Sequence, residues 1–234
     1  MPDYTYDEKT KTLTLHPSIT TTESLGGLKP VNVRFANGDW CGKDDIINDI
    51  LKVVCGGNGY LKSCDLPDGL TRIDDWAFRF CSDLTSITIP NSVTEIGDRA
   101  FSNCQKLTNV TIPKSVETIG CGAFSRCFGL TSVAIPGSVK KIHVSIFDKC
   151  VGLTKITFCG DVNMGAWDDT YFNSVPGLQT IEVCSEHMKN RVRDHLERRD
   201  VSVVVLQNAQ TNPNGSVSCR KKIPPVIPYN NRGR

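Results

Sequence analysis

The sequence predicts an α/β solenoid, and three observations carry that prediction. The first is a period. Leu61, Leu84, Leu107 and Leu130 open four successive units of 23 residues, and Leu153 opens a fifth. The second is that other positions keep the same step: Phe78, Phe101, Phe124 and Phe147; Cys81, Cys104, Cys127 and Cys150; Pro67, Pro90, Pro113 and Pro136; Ile73, Ile96, Ile119 and Ile142. The third is a change of pattern inside each unit, from strict alternation to a spacing of four. Self-similarity at a fixed period of this size is the signature of stacked supersecondary units.

Within a unit the alternation comes first. Ile87 and Ile89 alternate with Ser86 and Thr88, the period of a strand with one buried face. Pro90 ends that strand, because proline has no N–H to give to a ladder. Ile96, Ala100 and Cys104 then recur every four residues with Phe101 beside them, which predicts a short helix or 3₁₀ turn. One unit cannot bury its own apolar face, so stacking makes the core. Stacking would pair the strands into a parallel sheet, with the short helices or 3₁₀ turns on the other side of the stack. Each Val, Leu, Ile or Phe fully buried in this way contributes about 1.5–3 kcal/mol.

The unit resembles the BspA-like, or Treponema-type, leucine-rich repeat, whose pattern is close to LxxIxIPxxVxxIGxxAFxxCxx. The copy at 107–129 reads LTNVTIPKSVETIGCGAFSRCFG. The resemblance is strong over 61–152 and looser over 153–183. His143 departs from the glycine of Gly97 and Gly120, Ile146 from the alanine of Ala77, Ala100 and Ala123, and Cys159 from the expected proline. The resemblance implies a curved α/β solenoid, with the parallel sheet on the concave side and short helices or 3₁₀ turns on the convex side, and a non-enzymatic role in binding or adhesion.

The rest of the chain organises around 61–183. Residues 1–60 predict an N-terminal cap with an atypical first repeat. Tyr4–Tyr6 and Leu13–Leu15 suit a hairpin, Leu28, Val31 and Val33 copy the strand spacing, and Asp44–Val54 has helical spacing with Asp44 as N-cap. Residues 184–206 predict a closing helix and strand. Ser185 would cap the helix Glu186–Arg199, whose Met188, Val192 and Leu196 share a face, and Val201–Leu206 is a β-branched run. Residues 207–234 carry five basic and no acidic side chains, with several prolines and asparagines, and predict a disordered tail.

Composition excludes little. The chain has 234 residues and a net charge of +2, which favours no class of partner. The opening MPDYTYDEKT is polar and acidic, unlike a secretory leader. No apolar run approaches the roughly 18 residues a membrane helix needs. Of eleven cysteines, four keep the period and fall on an apolar stripe, where thiols pack as small hydrophobes. A reduced ladder in a cytoplasmic chain is the expectation.

Function is expected on the solvent face of the sheet, the default binding surface of a solenoid. Alternation places Ser86, Thr88, Asn109, Thr111, Ser132, Lys155 and Thr157 there. These polar side chains predict an unidentified protein partner and a shallow contact, with cell-surface adhesion as the alternative that the family resemblance implies. Cys121 and His143 lie 22 residues apart, on adjacent units, and a thiol beside an imidazole is the start of a nucleophilic site. No third residue orients the base, so no enzyme is expected. Cys159, Cys184 and His187 have the chemistry of zinc ligands, but a fourth ligand is not evident and no metal or other cofactor is expected. In the tail, Lys222 followed by Pro225 and Pro228 has the spacing of an SH3-type ligand. Arg220, Lys221 and Lys222 are too few to predict nucleic-acid binding.

Overall fold

The computed structural model describes residues 3–143, 145–160, 172, 174–194, 196, 200–211 and 217–221. Strands dominate it. The N-terminal hairpin forms as expected, from β1 (Tyr4–Asp7) and β2 (Thr12–Leu15), paired antiparallel. β3 (Asn32–Phe35) then pairs parallel with β2. Further along come β4 (Ser63–Asp65), β5 (Arg72–Ile73), β6 (Ser86–Thr88), β7 (Glu95–Ile96), β8 (Asn109–Thr111) and β9 (Thr118–Ile119). The series closes with β10 (Ser132–Pro136), β11 (Lys141–Ile142), β12 (Lys155–Cys159), β13 (Thr180–Val183), β14 (Ser202–Thr211) and β15 (Val217–Lys221).

These strands form three sheets rather than the single one expected. One runs β1-β2-β3-β4-β6-β8, a second runs β10-β12-β13-β14-β15, and the pairing breaks between β8 and β10. The third, β11-β9-β7-β5, is made of two-residue strands whose isoleucines the spacing of four assigns to the start of a short helix or 3₁₀ turn. Its register sets Ile73 beside Ile96, Ile96 beside Ile119 and Ile119 beside Ile142. On the first sheet Ile87 faces Val110, and both are buried while Ser86, Thr88, Asn109 and Thr111 are exposed.

The spacing of four does not mark helices. The segments after β5, β7, β9 and β11 are turns, with left-handed backbone at Trp76, Arg99, Gly122 and Ser145 and again at Phe80, Asn103, Arg126 and Lys149. A right-handed helix cannot pass through such residues. The hydrogen bonds give the reason. The N–H groups of Trp76, Phe78 and Phe80 donate to the carbonyls of Asp98, Ala100 and Ser102 at 2.9, 2.7 and 2.9 Å. The N–H groups between them, of Ala77, Arg79 and Cys81, turn back to Asp74, Trp76 and Phe78. Alternate amides therefore join neighbouring segments, whereas a helix would spend all of them within itself.

Beneath these turns the core is a set of ladders. Phe78, Phe101 and Phe124 are fully buried, and their rings stack 5.1 and 5.2 Å apart with interplanar angles of 5° and 2°. Phe147 continues the stack at 5.9 Å and 22°. Cys81, Cys104, Cys127 and Cys150 are buried and free of disulfides. Each thiol reaches a backbone carbonyl 26 residues earlier: Cys104 to Phe78, Cys127 to Phe101 and Cys150 to Phe124, at 3.2, 3.2 and 3.0 Å. Burial pushes all four thiols up, Cys150 to about 12.

The ends are closed differently. Helix α1 (Asp44–Ile50) passes into a π-helical turn, Leu51–Cys55, and buries Ile47, Ile50, Leu51 and Val54. The expected N-cap, Asp44, is the first helical residue; Lys43 holds the cap position, and its side chain caps no helix amide but donates to the Pro17 carbonyl at 2.9 Å. Asp44 instead accepts the N–H of Thr71 at 2.9 Å and the Thr71 hydroxyl. Four residues on, Asn48 donates to the carbonyl of Arg72 and accepts the N–H of Asp74, both at 2.9 Å. β5 is the outermost strand of its sheet, so α1 side chains take the place of a missing strand.

At the other end α2 (Glu186–Asp194) is capped as expected, with the Ser185 hydroxyl accepting the Met188 N–H at 3.0 Å. Residues 197–199, the expected end of that helix, lie outside the described residues. β14 passes the expected boundary at Leu206, and Leu206–Thr211 pairs antiparallel with Val217–Lys221. For these residues the expected disorder from 207 onward gives way to a hairpin, because β14 otherwise leaves an open sheet edge. Lys222, Pro225 and Pro228 lie outside the described residues.

Candidate protein-binding surface

The polar face follows from alternation on the parallel strands. Ser86, Thr88, Asn109, Thr111 and Ser132 are exposed, as the sequence predicts. Thr157 is not: it is only 7% exposed, and its hydroxyl donates to Glu182 Oε2 at 2.9 Å. Lys155, half-buried, places Nζ 3.6 Å from the same oxygen. A buried carboxylate needs donors around it, and these two predicted contact residues supply them to Glu182.

In the opposite direction the face extends further than the sequence reading took it. Ser63 Oγ donates to Asn32 Oδ1 at 2.8 Å, and Arg34 lies 3.5 Å from Asp65. Thr5, Thr10, Thr12, Thr14, Asn32 and Arg34 line a cleft of 590 Å³ beside them. Asp7, also on this cleft, is held below the usual carboxylate range by the Thr10 hydroxyl and by the N–H groups of Thr10 and Lys9. The signal was present in Thr12-Leu13-Thr14-Leu15 and Asn32-Val33-Arg34-Phe35, which alternate as the later strands do. The surface offers hydroxyls, an amide and a guanidinium, a donor-and-acceptor array suited to a polar partner.

The two constellations of reactive residues gain no chemistry from the fold. Cys121 occupies a corner filled one and two steps earlier by Asp98 and Asp75. Asp75 Oδ1 accepts the N–H of Asp98, and Asp98 Oδ1 accepts the N–H of Cys121, each at 2.7 Å. Those carboxylates lie over Gly97 and Gly120, where an added Cβ would come within 2.4 and 2.5 Å of them. Cys121 brings no carboxylate, and the residue in the glycine position after it is His143. The His143 N–H still reaches Ile119 O, at 3.0 Å against 2.8 Å for Gly120 to Ile96. Cysteine and histidine are thus a paired replacement of aspartate and glycine. No hydrogen bond joins the two side chains among the described residues, and burial, then Asp98, pushes the Cys121 thiol up, away from an activated thiolate.

Cys159 and Cys184 follow residues Phe158 and Val183, which pair across β12 and β13. Cys184 Sγ donates to Phe158 O at 2.9 Å. Among the described residues, no three His, Cys, Asp or Glu side chains converge into a metal site, at His187 or elsewhere.

Comparison with known proteins agrees with this architecture. The BspA-type leucine-rich repeat region matches residues 50–185 in six copies. A leucine-rich repeat protein of T. pallidum superposes with a TM-score of 0.52 at 24% identity, covering 85% of this chain and 95% of that one. A leucine-rich cell surface protein from Faecalibacterium prausnitzii is 28% identical over 54% of this chain, with a TM-score of 0.49. This chain spans 33% of that protein's length. No curated protein matches the sequence. Among the described residues, no helix is long and apolar enough to cross a membrane.

Proposed function

Because the chain belongs to the BspA-type leucine-rich repeat family, we propose that it is a non-enzymatic recognition module, a curved solenoid of 23-residue units that binds a protein partner through its polar sheet face. The observation that carries this reading is the run of polar side chains, half-buried at Thr12, Asn32 and Ser63 and exposed at Arg34, Asp65, Ser86, Thr88, Asn109 and Thr111. Hydroxyls at that density on a rigid sheet can satisfy the backbone and side-chain groups of a docked chain without rearrangement. The buried, unbridged thiols of Cys81, Cys104, Cys127 and Cys150 support a reducing compartment, in which the module would be cytoplasmic. Family membership equally fits an adhesin on a cell surface, and labelling intact cells with a membrane-impermeant amine reagent separates the two.

The test is a pair of substitutions, Thr88→Glu and Thr111→Glu, on adjacent strands of the exposed face. Partner capture should be lost while the chain still unfolds cooperatively, at a melting temperature lowered by the like charges that the two glutamates and Asp65 set side by side. Capture that survives both changes removes the face from the account. Thr157 is left out of this test, because a second carboxylate beside Glu182 would act on the fold.

A further inference from the structure

Two cysteines stand near the start of the stack where the next layers carry larger apolar side chains. Cys55 falls 23 residues before Phe78 and holds the place of Phe78, Phe101, Phe124 and Phe147. Cys64 falls 23 residues before Ile87 and holds the place of Ile87, Val110, Val133 and Ile156. The hydrogen bonds agree with the first correspondence: the Cys81 thiol donates to the Cys55 carbonyl at 2.8 Å, as the Cys104 thiol does to that of Phe78. Cys55 ends the π-helical turn, Cys64 lies at the centre of β4, and both are buried. A thiol buries less apolar surface than a phenyl ring or a branched aliphatic chain, so both exchanges take packing from the core.

The two thiols meet. Cys55 and Cys64 share a hydrogen bond, and that bond, ahead of burial, pushes the Cys55 thiol up. Cys81 is committed to the Cys55 carbonyl, as each later thiol of its ladder is to a carbonyl of its own. The ladder thiols repeat from layer to layer with parallel side chains, a poor geometry for bridging. Cys55 and Cys64 instead come from different sides of one layer, the helical cap and the sheet. The eight residues between them include Gly56, Gly57 and Gly59, with Gly57 left-handed at φ 73°. Glycine gives that short link the freedom to close the remaining gap to a sulfur–sulfur bond of about 2.05 Å.

We infer that Cys55 and Cys64 are a disulfide pair set by the compartment in which the chain folds: free thiols under reducing conditions, and a staple between the helical cap and β4 under oxidising ones. The oxidant is a small disulfide of the glutathione type. One cysteine thiolate attacks a sulfur of that disulfide, releases one thiol and leaves a mixed disulfide. The second cysteine thiolate attacks the protein sulfur of the mixed disulfide and releases the other thiol. The pair loses two electrons and two protons, and the oxidant is reduced to two thiols. Burial shields both sulfurs once the core has closed, so the bond forms during folding and the native chain keeps the state it folded in. The pair is independent of the polar sheet face.

The experiment unfolds and reduces the full chain, then refolds it either with dithiothreitol or with oxidised glutathione in excess over reduced. Free thiols are alkylated in denaturant, and the linkages are mapped by digestion and mass spectrometry. Refolding with oxidised glutathione should link Cys55 to Cys64 in most molecules and leave Cys81, Cys104, Cys127 and Cys150 as alkylated thiols. The linked chain should melt at least about 3 °C above the reduced one. Cys64→Val removes one sulfur and supplies the side chain that Val110 has in the same place; it should fold and lose most of that difference. Absence of the Cys55–Cys64 link, or linkage spread evenly over Cys81 and the rest of the ladder, overturns the proposal. A melting difference unchanged in Cys64→Val, or a linked chain that melts no higher than the reduced one, overturns it as well.

Discussion

At the scale of single residues, the buried thiols make a pH prediction. Burial favours the neutral S–H form, so the folded pKa of Cys81, Cys104, Cys127 and Cys150 lies above that of the unfolded chain. Below the ordinary thiol pKa of about 8.5 both states keep the proton and the ladder is fully stabilising. As pH rises further, the unfolded chain releases protons that the native one retains. Stability then falls by up to about 1.4 kcal/mol per pH unit per thiol, until the native thiols themselves titrate, about 12 for Cys150. Denaturant unfolding between pH 8 and about 11 should show this slope, and Cys104→Ala with Cys127→Ala should roughly halve it. An unchanged slope would mean that other groups cause the alkaline loss. The ladder was legible from the sequence, since a cysteine repeating in step with phenylalanine has no simpler reading than a buried stripe. The paired replacement at Cys121 and His143 was not, because the carboxylate over each glycine is a contact between segments, invisible to local pattern.

At the scale of elements, α1 shows how a helix can finish a sheet. Asn48 is 2% exposed and gives the edge of β5 both a donor and an acceptor. Asn48→Ala leaves the Arg72 carbonyl and the Asp74 N–H without that partner and should cost about 1–3 kcal/mol in denaturant unfolding. A loss under about 0.5 kcal/mol would show that water replaces the amide at no cost. The helix itself was readable from the spacing of Ile46, Ile47, Ile50, Leu51 and Val54, but its use of Asp44 and Asn48 was not. An N-cap is a local feature, whereas the β5 edge reaches α1 only in three dimensions. The turns were misread as helices for a related reason. Left-handed backbone usually advertises itself through glycine, and here only Gly122 carries that signal, while Trp76, Arg99 and Ser145 occupy its equivalents. Alternate amides that bridge to the next segment outweigh the local preference for a helical turn. The closing hairpin of β14 and β15 was missed because 207–211 and 217–221 have little apolar alternation to announce a strand.

At the scale of the molecule, the strands stack so that one long side presents hydroxyls and amides while the turn side presents arginines and two strained aromatics. Polar side chains, exposed or half-buried, run from the N-terminal cleft through Thr111 to Ser132, and beyond them Thr157 and Lys155 engage Glu182. The account therefore places recognition on the N-terminal half of the stack. The proline-containing tail beyond Lys221 is the rival location, since Lys222, Pro225 and Pro228 have the spacing of an SH3-type ligand. The most direct measurement is crosslinked capture from the native source, run with the full chain, with a form ending at Lys221, and with the Thr88→Glu, Thr111→Glu variant. The account predicts one partner retained by the first two and lost by the third. A partner kept by the glutamate variant and lost on removal of 222–234 would contradict it and make the folded stack the carrier of its tail.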